Sequence, residues 1–205
     1  MPTVNDQKQT IIQSALSQFL QFGFKNVTVD DIARSSGISK KTLYEVFEDK
    51  DQLVSESVRF MLNCKQCEFD EVMKGQLNAI EQLMKIITLM EQMIQGMNRV
   101  CFQDLQRYYP KAYQLLEAYK KEKMLKDITD NLHQGIAEGL YRDDIAIDVI
   151  ATFRMESAMM IFHSTLYQNS KLDMVRVNKE LFSHYMYGIA TIKGHKLISK
   201  YLSQQ

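Results

Sequence analysis

Apolar positions recur at helical spacing almost from end to end of this chain, and no stretch alternates as a half-buried strand would. Ile11, Ile12, Ala15, Leu16, Phe19 and Leu20 make a broad stripe on a first helix, Asn5 to Phe22, which Gly23 closes as a residue free to take positive φ. Thr28 to Lys50 then reads as two short helices around a tight turn. Asp49 caps a fourth helix, with Gln52 completing a capping-box-like pair, and Leu53, Val54, Val58, Phe60, Met61 and Leu62 carry it to the cysteines. Further helices are predicted over Leu77–Gly96, over Arg99–Tyr109 (stopped by Pro110), and over Lys111–Gly139. After a turn at Gly139–Asp144 come Ile145 to about Gln168, then Leu172 or Asp173 to about Ile192. A short helical tail follows over His195–Gln205.

Within Thr28–Lys50 the local signals agree with one another. Thr28 suits an N-cap, with Asp31 at the third helical position, where a carboxylate meets free amides and the helix dipole. Gly37 stands where the first short helix must end, Ile38 plugs the turn, and Ser39 caps a second helix from Lys40 to about Phe47. Leu43 and Phe47 share that helix's inner face. Lys40, Lys41, Thr42 and Tyr44 are left near its start and away from the core, an arrangement suited to phosphate oxygens and base edges. In a helix-turn-helix such a second helix enters the major groove by its N-terminal residues. The competing reading is an ordinary helical hairpin with a solvated basic end.

Phe22-Gly23-Phe24, Thr28, Ile32-Ala33, Gly37-Ile38-Ser39, Thr42-Leu43-Tyr44, Phe47 and Lys50-Asp51-Gln52-Leu53 resemble the DNA-binding domain of the tetracycline-repressor (TetR) family over about Gln9 to Val58. Glu45 and Val46 depart from it, since the family commonly carries an aromatic or basic residue and then His or Tyr there. The resemblance implies an all-α protein: a three-helix head with a helix-turn-helix over residues 1–48, and a larger helical effector-binding and dimerisation domain over residues 49–205. It also implies Thr28, Ser39, Lys40, Lys41, Thr42, Tyr44 and Lys50 as DNA-binding residues on a double-stranded operator. In the family the last two long helices pair with a symmetry mate. Leu181 and Ile189 are therefore expected at a homodimer interface, and the small residues Ala151, Ala158 and Gly188 would let backbones approach.

Composition sharpens this picture in three ways. The 205 residues include 45% hydrophobic and 24% charged residues, with only 8 Gly and 2 Pro, as expected of a globular chain of long helices. No apolar run is long enough for a membrane span, and the opening Met-Pro-Thr-Val-Asn-Asp is unlike a signal peptide, so a cytoplasmic protein is expected. Net charge is zero, and residues 1–60 hold 7 basic against 8 acidic residues. A positive footprint must then be local, drawn from Lys25, Arg34, Lys40, Lys41 and Lys50.

Candidate chemistry beyond the head is sparse. Twelve of the 13 methionines follow position 60, and they interleave with aromatics over 84–119 and 155–167. Unbranched methionine suits a wall that accepts apolar ligands, although plain core packing is the simpler account of any one of them. Met90, Met93, Phe102, Tyr109, Tyr113, Met159, Phe162 and His163 are the expected lining for a small apolar effector. Cys64 and Cys67 have metal-pair spacing, but on a continuous helix, with Cys101 distant; buried or half-buried thiols are expected, and neither metal nor cofactor. No phosphate loop, nucleophile elbow or His-Glu-x-x-His is present, so no enzyme is indicated. The leading reading is a ligand-responsive repressor. Its alternatives are a DNA-binding adapter without an effector, and a helical enzyme or carrier with a vestigial head.

Overall fold

The structure, a computed structural model, describes residues 4–163 and 173–203. It is helical throughout, as the periodicity predicts, and folds as two compact units. The first unit comprises residues 1–65 and 96–119, and the second residues 66–95 and 120–205. No helix among the described residues is long and apolar enough to cross a membrane.

In the first unit, α1 (Val4–Phe22), α2 (Val29–Ser35) and α3 (Lys40–Val46) form a three-helix group, joined by the first part of α4 (Lys50–Lys74) and by α6 (Cys101–Tyr108) and α7 (Pro110–Tyr119). Ile11, Ala15 and Phe19 of α1 are buried with Ile32, Leu43, Phe47, Leu53 and Val58. Phe24 stacks on Phe19 at 4.9 Å between ring centroids. Pro110 separates α6 from α7 and also opens α7, where its missing N–H is one that the helix would leave unbonded in any case.

The end of α1 is held by residues far along the chain. The Asn98 N–H donates to Leu20 O at 2.6 Å, the Asn98 amide to Gln21 O at 3.2 Å, and the Cys101 thiol to Phe19 O at 3.3 Å. Asp104 accepts the Lys25 N–H at 2.9 Å, and Phe24 O accepts from Lys50 Nζ at 2.7 Å and from the Tyr109 hydroxyl at 3.3 Å. Helix-terminal carbonyls have no partner within their own helix, and these donors supply one. Gly23, at φ +88°, must be glycine here for a second reason: a Cβ would lie 2.9 Å from Asp104 Oδ2.

The second unit packs α5 (Ala79–Gln95), α8 (Leu125–Ala137), α9 (Ile147–His163), α10 (Met174–Ile189) and α11 (Ile192–Leu202). The single helix expected over Lys111–Gly139 is instead α7 and α8 joined by a π-helical stretch, Lys120–Met124. The expected continuation to Gln168 and the start at Leu172 lie outside the described residues. The tail helix begins at Ile192 rather than at His195, because Ala190 is extended and pairs with Tyr141 as a short bridge. Thr191 then caps α11 by accepting the Gly194 N–H at 3.2 Å.

The core of this unit is apolar around a connected polar chain. The Tyr141 hydroxyl donates to Asn131 Oδ1 (3.1 Å). The Asn131 amide donates to Ala79 O (3.0 Å) and Gln82 Oε1 (2.8 Å), and Gln82 donates to Gln134 (2.9 Å). Glu138 closes the chain by accepting from Gln134 and from the Ala79 N–H. The amides of this polar chain thus find partners, without which each would cost far more than it contributes. The Tyr141 ring lies where Gly135 has no side chain.

Gly135→Ala would place a methyl 2.0 Å from the Tyr141 ring, which is itself buried. We expect it to lower stability by about 3 kcal/mol in urea titration, while Gly96→Ala, where an added methyl meets open space, stays within about 0.5 kcal/mol of the parent. Equal midpoints for the two would mean that Tyr141 can leave its seat without cost.

Candidate functional site

The helix α2 is fixed at both ends by hydrogen bonds that the sequence spells out. Thr28 accepts the Asp31 N–H at 3.2 Å, and Asp31 in return accepts the Thr28 N–H at 3.0 Å and the Thr28 hydroxyl at 2.6 Å, the reciprocal capping box. The Thr28 hydroxyl hydrogen bond, then its backbone bond, hold the Asp31 pKa below the usual carboxylate range. At the far end of α2, Gly37 has φ +67°, with Gly37 N–H on Arg34 O (3.2 Å) and Ile38 N–H on Ala33 O (3.0 Å), a Schellman closure. Ser39 caps α3, accepting the Thr42 N–H at 3.0 Å, and its hydroxyl lies 2.9 Å from that of Thr42.

With Leu43 and Phe47 buried, the outer face of α3 presents Lys40, Lys41, Thr42, Tyr44 and Glu45, and Tyr44 is 46% exposed. Lys40 is paired with Asp30 at 3.0 Å, whose hydrogen bond raises the Lys40 pKa. Among the described residues Lys41 has no such partner. Arg34 lies 3.8 Å from Asp31, and Lys25 sits 4.6 Å from the Tyr108 ring centroid with its ammonium on the Tyr108 hydroxyl. Exposed pairs of this kind are worth little and exchange readily for a phosphate. Among the described residues the face can therefore offer Lys41 as an unpaired cation, others held loosely, exposed hydroxyls and an aromatic edge.

Lys50 requires a correction. The sequence places it at a helix N-terminus beside a passing phosphate, but its ammonium turns inward, onto Phe24 O (2.7 Å) and Lys25 O (3.3 Å). It lies between the rings of Phe19 (5.9 Å) and Tyr109 (5.4 Å), and burial lowers its pKa against the opposing pull of Asp104 and Asp51. It braces the end of α1 and does not face outward. Thr28 likewise spends its hydroxyl proton on Asp31, so its main duty is the cap.

The second unit contains a cavity of about 60 Å³. α4 contributes Phe69 and Met73, and α5 contributes Leu83, Ile86 and Met90. Met124 enters from the π-helical stretch, Asp127, Ile128 and Asn131 from α8, Arg154 from α9, and Phe182 and Tyr185 from α10. Burial raises the Asp127 pKa, against the Gln66 amide that donates to it at 3.2 Å.

Of the eight residues expected around an effector, only Met90 lines this cavity. Phe102, Tyr109 and Tyr113 belong to the first unit, where Tyr109 packs on Phe24 at 6.4 Å and bonds its carbonyl. Met159 and Phe162 are buried but line no part of the cavity, Met93 is half-buried, and the His163 side chain lies outside the described residues. The cavity wall shares the methionine-and-aromatic character expected of an effector site but is made by other residues. The missed signal was Arg154, a charge standing among the apolar positions Ile150, Ala151, Ala158 and Ile161 of one helix.

The expected dimer residues also need adjustment. Ala151, Ala158 and Ile189 are buried within the second unit itself, so they pack its own core. Leu181 is half-buried and Gly188 exposed, while Val149 and Phe153 on α9 are 60% and 54% exposed. Cys64 and Cys67 are exposed, contrary to expectation, because they fall on the outer side of α4; Cys101 is buried. No group of three potential metal ligands occurs among the described residues.

Residues 11–56 match the sequence model of a family described as bacterial regulatory proteins, tetR family. The chain is 28% identical over 154 residues to the HTH-type transcriptional repressor KstR2 of Mycobacterium tuberculosis, covering 73% of this chain and 76% of that one. The structure of the ketosteroid transcriptional regulator KstR2 of that organism superposes with a TM-score of 0.64 at 24% identity, over 92% of this chain and 97% of that one. The transcriptional regulator FadR from Bacillus subtilis, solved in complex with stearoyl-CoA, superposes with a TM-score of 0.64 at 18% identity, over 88% and 98%. At these identities the superpositions speak for the fold.

Lys41→Ala should weaken binding to all DNA sequences alike and lower the slope of log affinity against log salt by about one. Lys50→Met should leave that slope unchanged and instead cost about 1–2 kcal/mol of stability, the value of a hydrogen bond from a charged donor. Salt titration of DNA binding, together with urea melts, reads both; a lowered slope for Lys50→Met would return it to the DNA face.

Proposed function

We propose that this chain, whose residues 11–56 match the tetR family of bacterial regulatory proteins, is a one-component repressor of that family. A homodimer grips a double-stranded operator through two copies of α3 and releases it when a small molecule with an apolar body enters the second unit's cavity. The observation that carries this reading is the division of labour on α3. Its caps and inner face are committed to the fold, and Lys41, Thr42 and Tyr44 remain on a rigid outer face. Phosphate contacts position such a helix, and base edges met from its N-terminal turn would give sequence choice.

Residues 1–48 carry DNA binding in this reading, and effector binding and dimerisation fall to residues 49–205. The mainly apolar cavity, with three methionines in its wall, supports an effector, since Met73, Met90 and Met124 can repack around varied apolar shapes. The exposed apolar pair Val149 and Phe153, with Leu181 and Gly188, supports a dimer built on α9 and α10. One short helix offers less contact than a specific site needs, and two-fold pairing doubles it across half-sites about one DNA turn, or ~34 Å, apart. No catalytic role is assigned, and the protein works in the cytoplasm beside its DNA.

Selection of bound fragments from a random DNA pool tests the reading directly. We expect a palindrome with the spacing of one or two DNA turns, and release from it by a subset of amphipathic small molecules. Binding that no ligand disturbs would favour the adapter. Phe153→Asp should give folded monomers by sedimentation and lose at least about tenfold in operator affinity, since a buried unpaired charge opposes association. Ile189→Asp should instead unfold the second unit, because Ile189 lies in its core. A dimeric Phe153→Asp with full operator affinity would put the interface elsewhere.

A further inference from the structure

Arg154 is the least economical residue in the second unit. Its side chain is 5% exposed, on a helix whose neighbouring positions Ala151, Met155 and Ala158 are core. A buried guanidinium ordinarily has a carboxylate and a full set of acceptors, because leaving water uncompensated is costly. Among the described residues, Arg154 has neither an ion pair nor an acceptor for its side chain. It lies instead over the faces of Phe182 and Tyr185, at 4.5 and 5.5 Å from their ring centroids, which offsets part of that cost. Burial lowers its pKa only to about 10, so it is charged at neutral pH. The Tyr185 hydroxyl, on a ring 4% exposed, also has no hydrogen-bond partner among the described residues.

Both groups line the same cavity, and the rest of that wall does not answer them. Asp127 lines it too, but no ion pair within 4.0 Å joins it to Arg154; one of its oxygens is held by Gln66, and its other charged neighbours are Asp70, Lys126 and Asp130. Glu156, two residues beyond Arg154, pairs with Lys120 at 3.4 Å. Resting on the cavity as the effector site, we infer that the effector carries a single carboxylate, which pairs with the Arg154 guanidinium and accepts from the Tyr185 hydroxyl while its apolar remainder lies against Phe69, Met90 and Ile128. The guanidinium fork matches two carboxylate oxygens at once. An ammonium ligand could meet Asp127 but would leave Arg154 unpaired and repelled. A phosphate monoester would bring a second negative charge beside Asp127, with no second cation in the wall. The cavity of about 60 Å³ receives the head and the first carbons, and the unbranched methionines repack along a longer tail.

The test titrates octanoate, octanamide, octylamine and octyl phosphate into the full-length protein by calorimetry, with operator release measured in parallel. Octanoate should bind at least about tenfold more tightly than the other three, the difference a charge-assisted pair makes. Arg154→Met should lose that preference, keep octanamide binding within about twofold and melt a few degrees higher than the parent, because it removes an unpaired buried charge. Tyr185→Phe should lose several-fold in octanoate affinity alone. Should Arg154→Met fail to fold, Arg154→Gln and Tyr185→Phe carry the same comparison. Equal binding of octanoate and octanamide, a tighter octylamine or octyl phosphate, an unchanged preference in the Arg154 variants, or no octanoate binding at about 10 mM overturns the inference. Binding of octanoate through Arg154 without any effect on the operator leaves the anion site standing and overturns the sensor reading instead. Operator release by octanoate and octanamide alike does the reverse.

Discussion

The carbonyls at the end of α1 and in the turn just after it must be bonded, and most of their donors come from beyond that helix. Phe19, Leu20, Gln21 and Phe24 find donors on Asn98, Cys101, Tyr109 and Lys50, and Asp104 accepts the Lys25 N–H that follows. This cluster fixes the path of the chain as it leaves α1, and so the placement of α2 and α3 that follow it. It also explains two residues at once. Gly23 takes the turn at positive φ and leaves room for Asp104, and Lys50 accepts partial burial because its charge is bonded to backbone oxygen.

A different arrangement governs the second unit. There the buried amides of Gln82, Asn131 and Gln134 are linked to one another, to Tyr141 and to backbone groups of α5, so polarity is spent internally. Arg154 stands outside that network although Asn131 borders the same cavity. The contrast is informative, because the network of Gln82, Asn131 and Gln134 comes to the same cavity wall without giving the guanidinium an acceptor.

Much of this was legible in local sequence, and the reasons it was are physical. Caps and turns are decided within a few residues, so Thr28 with Asp31, Gly37 with Ile38, and Ser39 announce the helix-turn-helix directly. Lys50 misled because its partner carbonyls, Phe24 and Lys25, come from a turn 25 or 26 positions earlier, and an N-terminal lysine looks the same whether it faces phosphate or backbone. The cavity misled for a similar reason. Phe102, Tyr109 and Tyr113 share the methionine-and-aromatic texture of the cavity wall, but the π-helical stretch at Lys120–Met124 marks a change of unit that periodicity does not register. Gly135 read as one more helical residue, since only the Tyr141 ring reveals why nothing larger fits.

The discontinuity of the first unit bears on how the protein is made. Phe24 leaves the ribosome 85 residues ahead of Tyr109, whose hydroxyl it needs, and Phe19 precedes Cys101 by 82. Throughout that interval Leu20 and Gln21 lack the Asn98 donors that the fold gives them, and the chain must first lay down α5, which belongs to the other unit. Contacts so distant in sequence form late. A transcript broken before residue 96 therefore yields a fragment without the donors that shape the head, and such a fragment is a poor competitor for the sites the complete protein occupies. The same long reach means that the head gains its last donor only once the chain has passed Tyr109.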